Sequence, residues 1–94
     1  MVQVSKLNGM KVITKDAFTV GTVEGAELNT EEWRITHLHV SLSKEVTTDL
    51  GFKKPIIGHV AICLPVTYVE AFGNVITLKQ TRQELKGIPE CKHG

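Results

Sequence analysis

Long apolar runs are missing from this chain of 94 residues. None approaches the ~18 consecutive apolar residues that a membrane-spanning helix needs. The opening "MVQVSKLNGMK" lacks the apolar centre of a secretory signal. Excess charge of one sign is also missing: 11 Lys and Arg stand against 10 Asp and Glu, for a formal net charge of +1. Direct nucleic-acid binding needs clustered Lys and Arg facing phosphates. Here Lys53-Lys54 is the only adjacent Lys/Arg pair, so no direct nucleic-acid contact is expected. Cysteine is scarce, with Cys63 and Cys91 alone, too few for a disulfide framework. Cys63 lies in the apolar "VAICLPV" and reads as a buried thiol; Cys91 lies in a polar tail. Two free thiols fit a reducing compartment, and the chain is expected to be a soluble cytoplasmic protein.

What the sequence does have is alternation. Apolar residues recur at every second position in short stretches divided by turn residues, which is the strand pattern. "MKVIT" (10–14), "TVGTVEGAEL" (19–28), "WRITHLHVSLS" (33–43), "GHVAICLPV" (58–66) and "VITLK" (75–79) read as strands. Val20 and Val23 break the alternation, and a bulge or bend near Gly21 accounts for both the slip and the glycine. In the third strand Thr36, Leu38, Val40 and Leu42 make a core face. Trp33, Ile35, His37, His39 and Ser41 make the other face. Pro65 ends regular pairing or places its strand at an edge. "TYVEAFGN" (67–74) reads as a turn segment anchored by Tyr68, Val69 and Phe72.

Two segments carry helix signals. In "SKEVTTDLGFKKP" (43–55), Ser43 suits the N-cap, and Val46 and Leu50 share a face. Gly51, Phe52 and Pro55 give a Schellman-type stop. The interior residues are mediocre helix formers, so the caps decide the assignment. In "TRQELKG" (81–87), Thr81 and Glu84 have capping-box spacing and Gly87 can stop the turn. So short a helix cannot stand alone, and Leu85 and Ile88 need something to dock on. The end of the tail has no such anchor and is expected to fray.

The fold expected is mostly β: a small bent-sheet β-barrel with one short helical insertion and a short C-terminal helical turn. Residues 1–80 form the domain and 81–94 a tail. Full closure would leave no exposed sheet edge. A chain this short buries a modest core, so a homodimer is expected. Apolar residues left after the core is filled are the interface candidates: Trp33, Ile35, Phe52, Ile56, Ile57 and Leu85.

The sharpest chemical pattern is His37-Leu38-His39. On a strand, side chains at i and i+2 share a face, so both rings can approach one metal. His59 and Cys63 are the further candidate ligands, since a site needs three or four. Against this, no second His-His pair and no Cys-Cys pair at tight spacing exists, and half-exposed sheet histidines commonly bind nothing. A catalytic Cys63 is disfavoured, because a nucleophilic thiol needs an electropositive, partly exposed place. Phosphate-cradling glycine loops are absent. Asp16, Glu24 and Glu27 read as solvated carboxylates. The expectation is therefore no enzymatic activity, no cofactor and no resident metal.

The order and spacing of these stretches resemble the PRC-barrel family. The first half, "LNGMKVITKDAFTVGTVEGAELNTEEWRITHLHVSL", is similar to that family's opening strands through Gly9 to Val12, Asp16, Val20-Gly21-Thr22-Val23 and Trp33-Arg34-Ile35, with Leu38 and Val40. The second half, "LPVTYVEAFGNVITL", resembles its closing element through Pro65, Val69, Phe72-Gly73-Asn74 and Val75-Ile76-Thr77-Leu78. The insert at 43–59 resembles that of stand-alone archaeal members. The resemblance implies a β-barrel that acts as a non-catalytic adaptor, often homodimeric. Archaeal members include a cell-division protein that partners SepF, which implies a SepF-type partner and recruitment to the division site at the membrane. Other members are fused to ribosome-maturation proteins, so an RNA-processing role is the alternative. The family pattern contributes no catalytic residue and does not include His37 or His39, which then sit at the edge of an interface, where a contact can depend on pH.

Overall fold

The computed structural model describes residues 3–52 and 58–89. Helix α1 (Val4–Leu7) leads into β1 (Lys11–Ile13), β2 (Thr19–Asn29) and β3 (Arg34–Leu42). Helix α2 (Lys44–Asp49) follows, then β4 (Ala61–Pro65), β5 (Val69–Phe72) and β6 (Ile76–Leu78). Short 3₁₀ turns cover Val66–Tyr68 and Gln83–Leu85. The strands form one sheet in the order β4-β3-β2-β1-β6-β5. All neighbours are antiparallel except β1 and β6. The edges β4 and β5 do not pair with each other, so the sheet bends without closing.

The bend is built into β2. Val12 pairs with Gly21 and Ile13 with Thr19, leaving Val20 as an extra residue. This is the bulge expected near Gly21, and it lets Val20, Gly21 and Val23 all be buried. Gly21 is obligatory for a second reason. A Cβ there would lie 1.8 Å from the backbone oxygen of Ser41, so β3 approaches closer than any side chain allows. Two further irregularities offset each other in the β2–β3 hairpin. Glu24 is extra on β2 between the pairs Val23–Val40 and Gly25–His39. Thr36 is extra on β3 between the pairs Glu27–His37 and Leu28–Ile35. The slip at Thr36 changes the phase of β3, and Ile35 packs against the core instead of lying on the histidine face.

Leu38, Val40 and Leu42 meet Val12, Val20, Val23, Ile62, Leu64, Ile76 and Leu78 in a single core. Helix α2 adds Val46, and its C-cap residue Leu50 joins it. Its ends match the capping signals: the Ser43 hydroxyl accepts from the Val46 N–H, Gly51 (φ +86) donates to Thr48 O, and Phe52 donates to Thr47 O. The last two bonds are the Schellman pair. The C-terminal turn is capped as expected, since the Thr81 N–H donates to the Glu84 carboxylate and the Glu84 N–H to the Thr81 hydroxyl. Leu85 and Ile88 dock into the core.

Three elements depart from expectation. Residues 69–72 are an edge strand and not a turn segment, because β6 offers them a pairing edge through Val69–Leu78 and Phe72–Ile76. Residues 4–7 form a helical turn whose Leu7 is buried. Cys63 is disulfide-bonded, which removes the argument for a reducing compartment. Alternation along β4 explains its position: Ile62 and Leu64 are fully buried, while Cys63 between them is only partly so. Its N–H donates to Pro89 O at 3.2 Å, so the C-terminal segment runs along this edge. Cys91, the chain's other cysteine, lies with the rest of 90–94, including the expected frayed end, outside the described residues. No helix among the described residues is long and apolar enough to cross a membrane.

Candidate functional site

The β2–β3 hairpin carries both features of interest. Its tip turns at residues 30–33, where the Asn29 side-chain oxygen accepts from the N–H groups of Glu31 and Glu32. Such a side chain-to-backbone turn fixes the loop locally. Trp33 follows at φ +53, a left-handed conformation unusual for a bulky residue. The β4 ladder on β3 begins at the His37–Pro65 pair, so Arg34 to Thr36 have no β4 partner. The only tryptophan of the chain is thereby held out in solvent, 74% exposed, with Leu28 at 49% on the same hairpin.

The expected interface residues separate into distinct groups. Trp33 is on the surface. Ile35 is half-buried against the core, for the reason of phase given above. Phe52 is also half-buried and folds back onto the core, because the Schellman stop directs it there. Leu85 is 1% exposed and therefore unavailable to a partner; the capped turn drives it inward. Ile56 and Ile57 lie outside the described residues. Leu28 is an exposed apolar residue that the sequence does not mark, and Phe72, expected as an anchor of its turn segment, is exposed as well. Leu28 lies beyond the Glu24 slip, where simple alternation fails, and Phe72 sits on the unrecognised edge strand.

Behind the tip, the outer face of β2, β3 and β4 gathers a polar cluster. His37 and His39 share that face, as the i, i+2 spacing requires. Glu27 lies between them: one carboxylate oxygen is 3.5 Å from His37 Nδ1 and the other 3.5 Å from His39 Nε2. His37 Nδ1 also shares a 3.0 Å hydrogen bond with the Thr36 hydroxyl. His39 Nε2 is buried and has no hydrogen-bond partner among the described residues. Cys63 is the register partner of His39 across β3–β4. Donor atoms of Glu27, His39 and Cys63 all lie within 4.8 Å of one another. His59 is not part of this group. It precedes β4 and meets Glu24 at 2.6 Å. Of the candidate ligands His37, His39, His59 and Cys63, the fold thus brings His39 and Cys63 together, adds Glu27, and places His37 beside Glu27 but outside that group. The slip at Glu24 explains the addition. Without the extra residue, Glu27 would lie opposite Thr36 and not His37.

A second polar cluster is structural. The Thr14 hydroxyl donates to Asp16, whose carboxylate also accepts from the Arg82 N–H. The Arg82 guanidinium stacks 4.6 Å from the Phe18 ring centre and reaches Asp49 at 3.6 Å. These contacts tie the β1–β2 turn to the C-terminal turn. The Thr14 hydrogen bond, then backbone N–H groups and the Arg82 charge, holds the Asp16 carboxyl below its ordinary value. The Thr81 backbone and side-chain bonds of the capping box do the same for Glu84.

The family comparison agrees with this architecture. The PRC-barrel domain family matches residues 1–85. Its match includes the C-terminal turn through Leu85, whose side chain completes the core. A comparison with curated proteins finds no match.

Proposed function

Since the chain belongs to the PRC-barrel family, we propose that it is a non-catalytic protein–protein interaction module whose contact surface is the tip of the β2–β3 hairpin. The observation that carries this reading is the exposure of Trp33, 74%, next to a turn whose Glu31 and Glu32 N–H groups donate to the Asn29 side chain. Tryptophan supplies a disproportionate share of interface energy, and leaving it in water costs the hydrophobic gain of burying it. Leu28 on the same hairpin widens the apolar surface. The first partner is a second copy of the chain, since a small domain gains stability by association.

The finer reading follows the resemblance to stand-alone archaeal members. The module serves as an adaptor in the archaeal cytoplasm, recruited to the division site at the membrane by a SepF-type protein. The near-neutral charge supports a protein partner over a polyanion. Because Trp33 is the only tryptophan, its emission reports directly on the tip. A blue shift with rising protein concentration, or on adding a SepF-type protein, is the expected result. Emission that stays water-like at every concentration and with the partner present defeats the reading.

A further inference from the structure

The outer-face cluster has donor chemistry that the interaction role does not use. Glu27, His39 and Cys63 come from three neighbouring strands, β2, β3 and β4. Carboxylate, imidazole and thiolate together form a donor set suited to zinc or a similar thiophilic divalent cation. We propose that opening the Cys63 disulfide with a dithiol reductant converts this cluster into a site for such a cation, so that metal binding is gated by redox state.

Buried polar atoms are nearly always paired, and an orphan calls for an explanation, of which strain, a redox or catalytic role, and a place for a water or ion are the usual ones. His39 Nε2 is such an orphan, and it faces Glu27 at 3.5 Å. Zinc bonds of about 2.0–2.3 Å in a tetrahedron place ligand atoms roughly 3.3–3.8 Å apart. The His39–Glu27 separation is already in that range. The 4.8 Å bound on the group leaves a small side-chain adjustment for the sulfur. His37, 3.5 Å from the other Glu27 oxygen, orients the carboxylate from its far side. A cleft of about 280 Å³ with His37, Cys63, Pro65 and Tyr68 in its lining lies beside the cluster.

The electron balance is that of thiol–disulfide exchange. The dithiol gives two electrons and two protons, becoming a disulfide, and Cys63 and its bonded partner are released as thiols. The cation then displaces the Cys63 thiol proton to solvent. His39 binds as the neutral ring through Nε2, Glu27 binds through one oxygen, and water fills the fourth position. In the oxidised form the sulfur lacks the charge that holds a thiophilic metal.

The test uses the full chain with cobalt(II) as a spectroscopic probe and zinc(II) as a competitor, before and after treatment with a dithiol that is then removed. The reduced protein is expected to bind one cobalt per chain and to show a thiolate-to-cobalt charge-transfer band that zinc abolishes. The oxidised protein is expected to show no band. Cys63→Ser should lose the band. His39→Ala and Glu27→Gln should each weaken zinc by at least about tenfold, the lower limit for disturbing even a residue that only supports a ligand. His59→Ala should bind as the wild type does. Equal binding by oxidised and reduced protein overturns the proposal, as does a band that survives Cys63→Ser. Unchanged zinc affinity in folded His39→Ala, checked by circular dichroism, overturns it equally.

Discussion

Replacing Gly21 with alanine tests the account of the bent sheet at its tightest point. The added Cβ would sit 1.8 Å from the Ser41 backbone oxygen and 2.8 Å from its carbon. Cβ atoms are essentially never found closer than 3.0 Å to another heavy atom, so β2 and β3 must part by more than 1 Å. A backbone obstacle cannot turn aside as a flexible side chain can. The separation falls beside Val20, Val23 and Leu42, which are 1%, 2% and 4% exposed. Loss of about two backbone hydrogen bonds costs ~2 kcal/mol at ~1 kcal/mol each. Disturbed packing adds roughly 1–3 kcal/mol. The expected destabilisation is thus about 3–5 kcal/mol, out of the ~5–15 kcal/mol typical of a native domain. Gly25→Ala is the internal control. Its nearest neighbour would be His39 Nδ1 at 3.8 Å, an ordinary contact, and its φ is not in the left-handed region. It should change stability by less than about 1 kcal/mol, in the stabilising direction, since alanine restricts the unfolded chain. Urea denaturation followed by circular dichroism measures both. Gly21→Ala within 1 kcal/mol of the wild type, or the two variants equally destabilised, would refute the close-approach argument.

Other consequences follow from the core and the caps. Leu85→Ala should cost about 2–5 kcal/mol in the same assay, because Leu85 is 1% exposed and completes the core from the C-terminal turn; a loss below about 0.5 kcal/mol, as at a surface position, would detach that turn from the domain. Gly51→Ala should cost about 1 kcal/mol, since Gly51 has φ +86 and open space around it. Asp16 and Glu84 are held below their ordinary carboxylate values by hydrogen bonds. Their unfolded forms take up protons at higher pH than the folded ones, so their contribution is complete above the ordinary carboxylate range. It is lost as pH falls through the lowered folded values. Glu84→Gln should therefore flatten the acid limb of stability against pH, and an unchanged limb would contradict the capping-box assignment.

Much of the fold can be read from the sequence because local chemistry and tertiary contacts agree there. Ser43, Gly51 and Phe52 announce the two ends of α2, and Thr81 with Glu84 announces the C-terminal turn. Val20 and Val23, three apart, mark the bulge beside Gly21. The features that escaped depend on register. A bulge at Thr36 reverses the face of Ile35, and one at Glu24 brings Glu27 opposite His37; neither residue type signals a bulge by itself. Strand β5 depends on the edge that β6 offers. The bonded state of Cys63 does not show in its apolar neighbours, because alternation along β4 buries Ile62 and Leu64 and leaves Cys63 between them only partly buried. The histidine pair was visible as a pair, but its acidic neighbour was not.

Sedimentation equilibrium of the full chain beside Trp33→Ala tests the interaction reading most directly. Trp33 is 74% exposed, so its truncation should leave stability within about 0.5 kcal/mol of the wild type. The wild type should associate to a dimer as concentration rises, and Trp33→Ala should weaken that association by at least about 30-fold, the 2 kcal/mol of an interface hot spot. A wild type that stays monomeric throughout, or a variant that associates as tightly, would contradict a hairpin tip that serves as the contact surface.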